Sequence, residues 1–245
     1  MPGSEPYSAK NGPLGVLVLH GFTGNPTSMR PIAERLAAEG FSVELPRLPG
    51  HGTSVEDMMT TSWADWSGAA LEAFDELQQR SSAVAVVGLS MGGSLTAYIG
   101  ERRDVAALVF INPPVSVPGD DLVDGVNALI DAGVESFDAI GSDIKKEGVA
   151  ETSYSATPTR ALRSLFEGLA LVHDDLGKIT APSLLLTSRD DHVVTWERGE
   201  ALAAKSSGPV EQIWLEDSYH VATLDNDREL LESSVVDFLR TFLKP

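Results

Sequence analysis

Gly88-Leu89-Ser90-Met91-Gly92 is the segment of this chain best suited to do chemistry. It follows an apolar run, residues 83–87, and precedes a stretch, residues 93–102, that reads as helix. A Gly-x-Ser-x-Gly set between strand and helix forms a turn so sharp that the serine backbone is strained and the flanking residues would collide. Glycine at both flanks relieves that collision. The turn projects the Ser90 hydroxyl above the sheet edge, with a helix N-terminus behind it that favours negative charge. Such a hydroxyl suits acyl transfer. The same five residues could form an ordinary Gly-rich turn, so the remaining parts of an acyl-transfer site must be found elsewhere in the chain.

A serine hydroxyl needs a base to take its proton, and the base needs a third group to fix its tautomer and stabilise its charged form. With this turn the partners follow in the order Ser, Asp or Glu, His. The chain has five histidines, at 20, 51, 173, 192 and 220. His220 stands in a loop between the last strand and the last helix, from which it can swing over the sheet edge towards Ser90. His192 would have to be both base and immediate neighbour of the acid, and is rejected. The acid is expected in Ser188-Arg189-Asp190-Asp191-His192-Val193-Val194, directly after a strand. Spacing alone does not separate Asp190 from Asp191.

The tetrahedral intermediate also requires two backbone N–H donors aimed at its oxygen. Met91, directly after the serine, supplies one. The other is expected from Phe22 in His20-Gly21-Phe22-Thr23-Gly24, a loop following an early strand. His20 and His51, the latter in Leu48-Pro49-Gly50-His51-Gly52, read as residues that shape loops at the same sheet edge.

The elements that must position these groups alternate in type. Leu14–Leu19 is a near-continuous aliphatic run, the pattern of a strand covered on both faces. Residues 41–45, 83–87, 105–111, 183–187 and 212–215 read as further strands. Helical spacing of apolar residues marks 28–39, 62–79 and 229–244, besides the helix after Ser90. Such alternation predicts an α/β fold with a mostly parallel sheet flanked by helices. The rhythm breaks between Asn112 and Ser183, where no convincing strand is visible. A helical cap is expected at 113–176, inserted into a core made of 1–112 and 177–245. Within it Leu162, Leu165, Phe166 and Leu169 form an apolar stripe that either packs the cap on the core or lines an acyl-chain tunnel.

Composition narrows the partners. The chain has 245 residues, 42% of them hydrophobic, and a formal net charge of −18 from 36 acidic and 18 basic residues. So acidic a surface repels phosphate backbones and anionic bilayers, which argues against nucleic-acid binding and electrostatic membrane docking. Cysteine is absent, which excludes a thiol nucleophile and disulfides. Residues 1–12 are polar and lack the pattern of a secretory signal, and no apolar run approaches a membrane span. The expectation is a soluble, cytoplasmic protein that touches lipid surfaces only transiently.

The segments His20–Gly24, Pro49–Gly52, Gly88–Gly93, Asp191–Val194 and Ser218-Tyr219-His220-Val221-Ala222-Thr223-Leu224-Asp225 occur in this order. Together they resemble the α/β-hydrolase superfamily, and more narrowly its bacterial monoacylglycerol lipases and related small carboxylesterases. The resemblance runs from about Leu14 to the C-terminus, and the Tyr219 to Asp225 segment carries most of the narrower likeness. It implies that the acid is Asp191, since the family's triad Asp precedes a short turn ending in valine. It implies the catalytic set Ser90, Asp191 and His220, with Phe22 and Met91 as oxyanion donors. In the cap, Ile140-Gly141-Ser142-Asp143 and Glu151 are again similar, implying that Ile140 lines the substrate pocket and Glu151 helps hold glycerol hydroxyls. The reaction implied, cleavage of a small lipid ester, needs no metal or cofactor. A general carboxylesterase would use the same machinery, and a non-catalytic binding module on this fold would not label at Ser90.

Overall fold

The aliphatic runs bury both of their faces. A computed structural model describes residues 1–244. In it the strands are β1 (Tyr7–Ala9), β2 (Leu14–Leu19), β3 (Ser42–Leu45), β4 (Ala83–Leu89), β5 (Ala107–Ile111), β6 (Ser136–Asp138), β7 (Ala156–Pro158), β8 (Ser183–Ser188) and β9 (Val210–Leu215). The helices are α1 (Arg30–Ala38), α2 (Val55–Met58), α3 (Trp63–Gln78), α4 (Met91–Gly100), α5 (Asp120–Asp131), α6 (Thr159–Asp175), α7 (Glu197–Lys205) and α8 (Arg228–Phe242). Seven strands form one sheet in the order β1-β3-β2-β4-β5-β8-β9. All its neighbours are parallel except β1, which pairs antiparallel with β3.

Because successive side chains of a strand point to opposite faces, each strand feeds two cores. Leu17, Leu19, Val84, Val86, Leu108 and Phe110 pack on one side, against Trp66, Phe74 and Leu77 of α3, Leu95 and Ile99 of α4, and the inner face of α6. Val16, Val18, Ala85, Val87, Val109 and Ile111 pack on the other, against Ile32 and Leu36 of α1 and Leu231, Val235 and Leu239 of α8. The strand C-terminal ends are thereby fixed on rigid supports, and the loops leaving them converge at one edge. Ligands of open parallel sheets bind at that edge.

Several elements differ from the sequence expectation. The strand before Ser90 runs on to Leu89 and the helix begins at Met91, so Ser90 alone makes the turn. Residues 1–12 are not merely a polar lead-in: β1 lies within them, too short to show an alternation of its own. The stretch from Asn112 to Ser183 does contain strands. β6 and β7 are three residues each and pair antiparallel, with Ser136 opposite Pro158. A strand of three residues with a proline at its end carries no readable period. Helix α7 also escapes periodicity, because it buries only Gly199 and Leu202. Among the described residues no helix is long and apolar enough to cross a membrane.

Candidate active site

Ser90 sits at φ 55°, ψ −123°, a conformation that non-glycine residues adopt only at a cost of about 1–3 kcal/mol. Its amide donates to Ile111 O at 2.9 Å, and its carbonyl accepts from Gly93 N at 2.7 Å. The flanking glycines are required by close approach. A Cβ on Gly88 would lie 2.1 Å from Gly92 O, and one on Gly92 would lie 2.2 Å from Leu19 O. The two flanks would therefore collide with each other and with β2.

Asp191 and His220 are brought together by two loops from neighbouring strand ends. Asp191 Oδ2 accepts from His220 Nδ1 at 2.7 Å, while Oδ1 accepts from the amides of Val193 and Val194, each at 2.8 Å. The turn ending in two valines thus folds back to hold the carboxylate. With Nδ1–H donating to the Asp191 carboxylate, Nε2 is left as the acceptor, a tautomer assigned from these bonds. Burial pulls the imidazole pKa down, but the facing carboxylates of Asp191, Glu151 and Asp143 outweigh it, and the net position is above the ordinary 6.5. Asp190 is exposed and takes no part in this pairing.

Ser90 and His220 open onto a cavity of about 250 Å³. Its walls are chiefly apolar, with Phe22, Leu162, Leu165, Phe166 and Leu169 among them. Leu165, Phe166 and Leu169 are also buried against the core, so the α6 stripe serves packing and lining together. Phe22 packs edge-on against Trp66 at 5.6 Å. The loop carrying it lies close to the serine: a Cβ on Gly21 would be 3.3 Å from Ser90 Cβ. Met91 is buried as the first residue of α4. Ile140 lines the cavity yet is 74% exposed, which puts it at the rim. Glu151 lines the cavity too, and a Cβ on Gly24 would come within 2.8 Å of its Oε1. Burial raises the Glu151 pKa, opposed in part by the neighbouring His220 and Ser28.

His20 and His51 are buried, and burial lowers their pKa values to about 3 and about 4. His20 Nδ1 donates to Gly21 O at 3.0 Å and Nε2 accepts from Leu48 N at 3.2 Å. His51 Nδ1 donates to Pro49 O at 2.9 Å. These neutral rings, 5.1 Å apart, brace the two loops.

Three residues at the site escaped sequence reasoning. Asn112, at φ 45°, donates through Nδ2 to Ser188 Oγ (2.9 Å) and His220 O (2.8 Å), and accepts from Ser188 N (2.7 Å). Arg198 lines the cavity, donates to Ser116 O at 2.6 Å, and has its pKa lowered to about 10 by burial, with Asp191 opposing. Asp143, in the stretch between β5 and β8, bonds to both the His192 and the His220 loops. Their only sequence signal was the position of Asn112 at a strand end and of Asp143 beside Ile140.

A hydroxyl on a strained turn, a buried imidazole held by a carboxylate, and an apolar chamber beside them can together carry out acyl transfer. Residues 16–233 match the alpha/beta hydrolase family. The chain is 42% identical, over 97% of its length and 95% of the relative's, to a thermostable monoacylglycerol lipase of Bacillus sp. (strain H-257). It is 27% identical to a carboxylesterase of Bacillus subtilis (strain 168), over 96% of each chain. A solved structure reported for the metagenome-derived lipolytic enzymes LipS and LipT superposes with a TM-score of 0.94 at 38% identity, covering 98% of this chain and 99% of that one. The Paleococcus ferrophilus monoacylglycerol lipase, at 18% identity and TM-score 0.74 over 97% and 99%, shares the fold. The chain belongs to the alpha/beta hydrolase family.

Proposed function

We propose that the protein is a carboxylic ester hydrolase that cleaves monoacylglycerols to glycerol and a fatty acid, with Ser90, His220 and Asp191 as its triad. The observation that carries this reading is the Asp191–His220 pair at 2.7 Å beside a cavity lined by Ser90. Ser90 Oγ attacks the ester carbonyl carbon as His220 Nε2 takes its proton. The oxyanion is held by the Phe22 and Met91 N–H groups. Collapse breaks the ester C–O bond, and the glycerol oxygen leaves with the proton from His220. Water then attacks the acyl-enzyme, giving its proton to His220, and the fatty acid departs as the proton returns to Ser90. Asp191 stays ionised and stabilises the imidazolium that forms twice in the cycle.

Residues 113–176 act as the cap in this reading. The apolar stripe of α6 receives the acyl chain, Ile140 guards the entrance, and Glu151 meets the glycerol hydroxyls. A buried acceptor left without its hydroxyl partner penalises substrates that lack one. The likeness to a monoacylglycerol lipase at 42% identity supports the choice of substrate. A general carboxylesterase is the second reading, favoured by the chiefly apolar cavity walls and the relative of that name. Fatty-acid release from 1-lauroylglycerol and methyl laurate, with Ser90→Ala as control, decides between them. A preference for the glycerol ester that Glu151→Ala removes supports the first; equal rates select the second. The setting this reading expects is a cytoplasmic protein that meets its substrate at lipid surfaces, which fractionation of cells expressing the chain tests.

A further inference from the structure

Asp143 lies in the stretch inserted between β5 and β8, far in sequence from the residues it holds. Its Oδ2 accepts from the backbone N–H of His220 at 3.1 Å and from that of His192 at 3.2 Å. Its Oδ1 accepts from His192 Nδ1 at 2.8 Å, and its own carbonyl accepts from Val221 N at 3.1 Å. One side chain therefore ties the residue after Asp191 to His220 itself. A second carboxylate reinforces the seam: buried Asp225 accepts from the amides of Lys145 (2.7 Å), Lys146 (2.8 Å) and Tyr219 (2.9 Å). Asp143 also lines the cavity, with its side chain only 12% exposed.

We infer that Asp143 is a positioning residue for ester hydrolysis: through the backbones of His192 and His220 it holds the acid loop and the base loop in register, and its charge faces the catalytic imidazole. The inference rests on the triad reading above. Side-chain packing alone would fix a ring less narrowly than a hydrogen-bonded backbone does, and small misplacement of a base is costly in rate. The charged groups facing His220 are Asp191 on the acid loop and Glu151 and Asp143 on the inserted segment. Arg198 on α7 acts on Asp191. Removing one of the three anions lowers the imidazole pKa, so the acid limb of the pH–rate profile moves to lower pH.

Asp143→Asn tests the charge with the geometry kept. The amide oxygen can still accept both backbone N–H groups, and the amide nitrogen can donate to a neutral His192 ring. Its kcat for 1-lauroylglycerol at pH 8 is expected within about threefold of wild type, with the acid limb moved to lower pH. Asp143→Ala removes the tie, and kcat is expected to fall about 10- to 100-fold across the profile with KM little changed. An unmoved limb in the Asn variant overturns the inference, as does an Ala variant with kcat within twofold of wild type. Should the Ala variant fail to fold, the Asn variant decides alone. Fluorophosphonate labelling of the wild type at Ser90, and loss of activity in Ser90→Ala, test the triad separately.

Discussion

Asp191→Asn is expected to invert the tautomer of His220. In the native protein Oδ1 of Asp191 accepts two amide protons, from Val193 and Val194, and Oδ2 accepts one from the ring. Asparagine has one acceptor oxygen, and the two amides claim it. The –NH2 group then faces His220 Nδ1, which must become an acceptor, and the ring proton moves to Nε2. A ring protonated at Nε2 cannot take the Ser90 proton. The opposite amide flip restores the useful tautomer but turns –NH2 against two amide donors, at about 1–3 kcal/mol for each unsatisfied group. At 1.36 kcal/mol per tenfold, the active form is then populated at roughly 3% down to the order of 0.01%. The variant should therefore lose between about 30-fold and 10⁴-fold in kcat at neutral pH, with KM and melting temperature close to wild type. The upper end is the size of loss that the same exchange causes in serine proteases, about 10⁴-fold in kcat. Fatty-acid release from 1-lauroylglycerol followed by pH-stat, alongside thermal unfolding, measures both. Activity within tenfold of wild type would refute the reasoning, since it would mean that the two valine amides do not dictate the flip.

Activity should fall as pH drops through a value above 6.5, because in the proposed mechanism His220 must be neutral to act and its folded pKa is raised; a kcat/KM profile with its acid limb below 6.5 contradicts this. His20 and His51 act on stability with the opposite sign of shift. Their folded pKa values of about 3 and about 4 lie below 6.5, so the unfolded chain binds more protons between those limits. Their contribution is full above pH 6.5 and is lost as pH falls towards 3–4, which urea titrations across that range can follow. Glu101 is the reverse case: burial raises its pKa to about 7, and Oε1 has no partner among the described residues. The folded state loses stability as pH rises from 4.5 through 7, so Glu101→Gln should match or exceed wild type in melting temperature at pH 8. Gly168→Ala would set a Cβ 2.1 Å from Trp63 Cδ2, forcing α6 away from α3. A cost of about 1–3 kcal/mol is expected, with a raised KM as the cavity lining shifts.

The sequence displayed the site wherever chemistry was compressed into neighbours. The five residues around Ser90 carry their strand, turn and helix with them, and Gly88 and Gly92 are dictated by contacts within that same unit and with β2. The choice between Asp190 and Asp191 was not legible from spacing, because both follow β8. What separates them is a turn that aims two amides at one carboxylate. Asp143 was invisible as a partner of His220 for a different reason: it is one acid among 36, and the bond spans 77 positions. Local pattern records neither. Elements followed the same division. Strands buried on both faces announced themselves as aliphatic runs, whereas β1, β6 and β7, of three residues each, are made by their partners.

The strand order has a consequence for how this chain is made. β5, wholly apolar from Ala107 to Ile111, gains its second neighbour only when β8 is synthesised, because residues 112–182 intervene. At ribosomal rates of about 5–20 residues per second, that leaves a bare, sticky strand edge beside the serine turn for roughly 4 to 14 seconds. A nascent chain stopped at residue 150 should accordingly be held by chaperones or aggregate, while one extended through α8 should escape both.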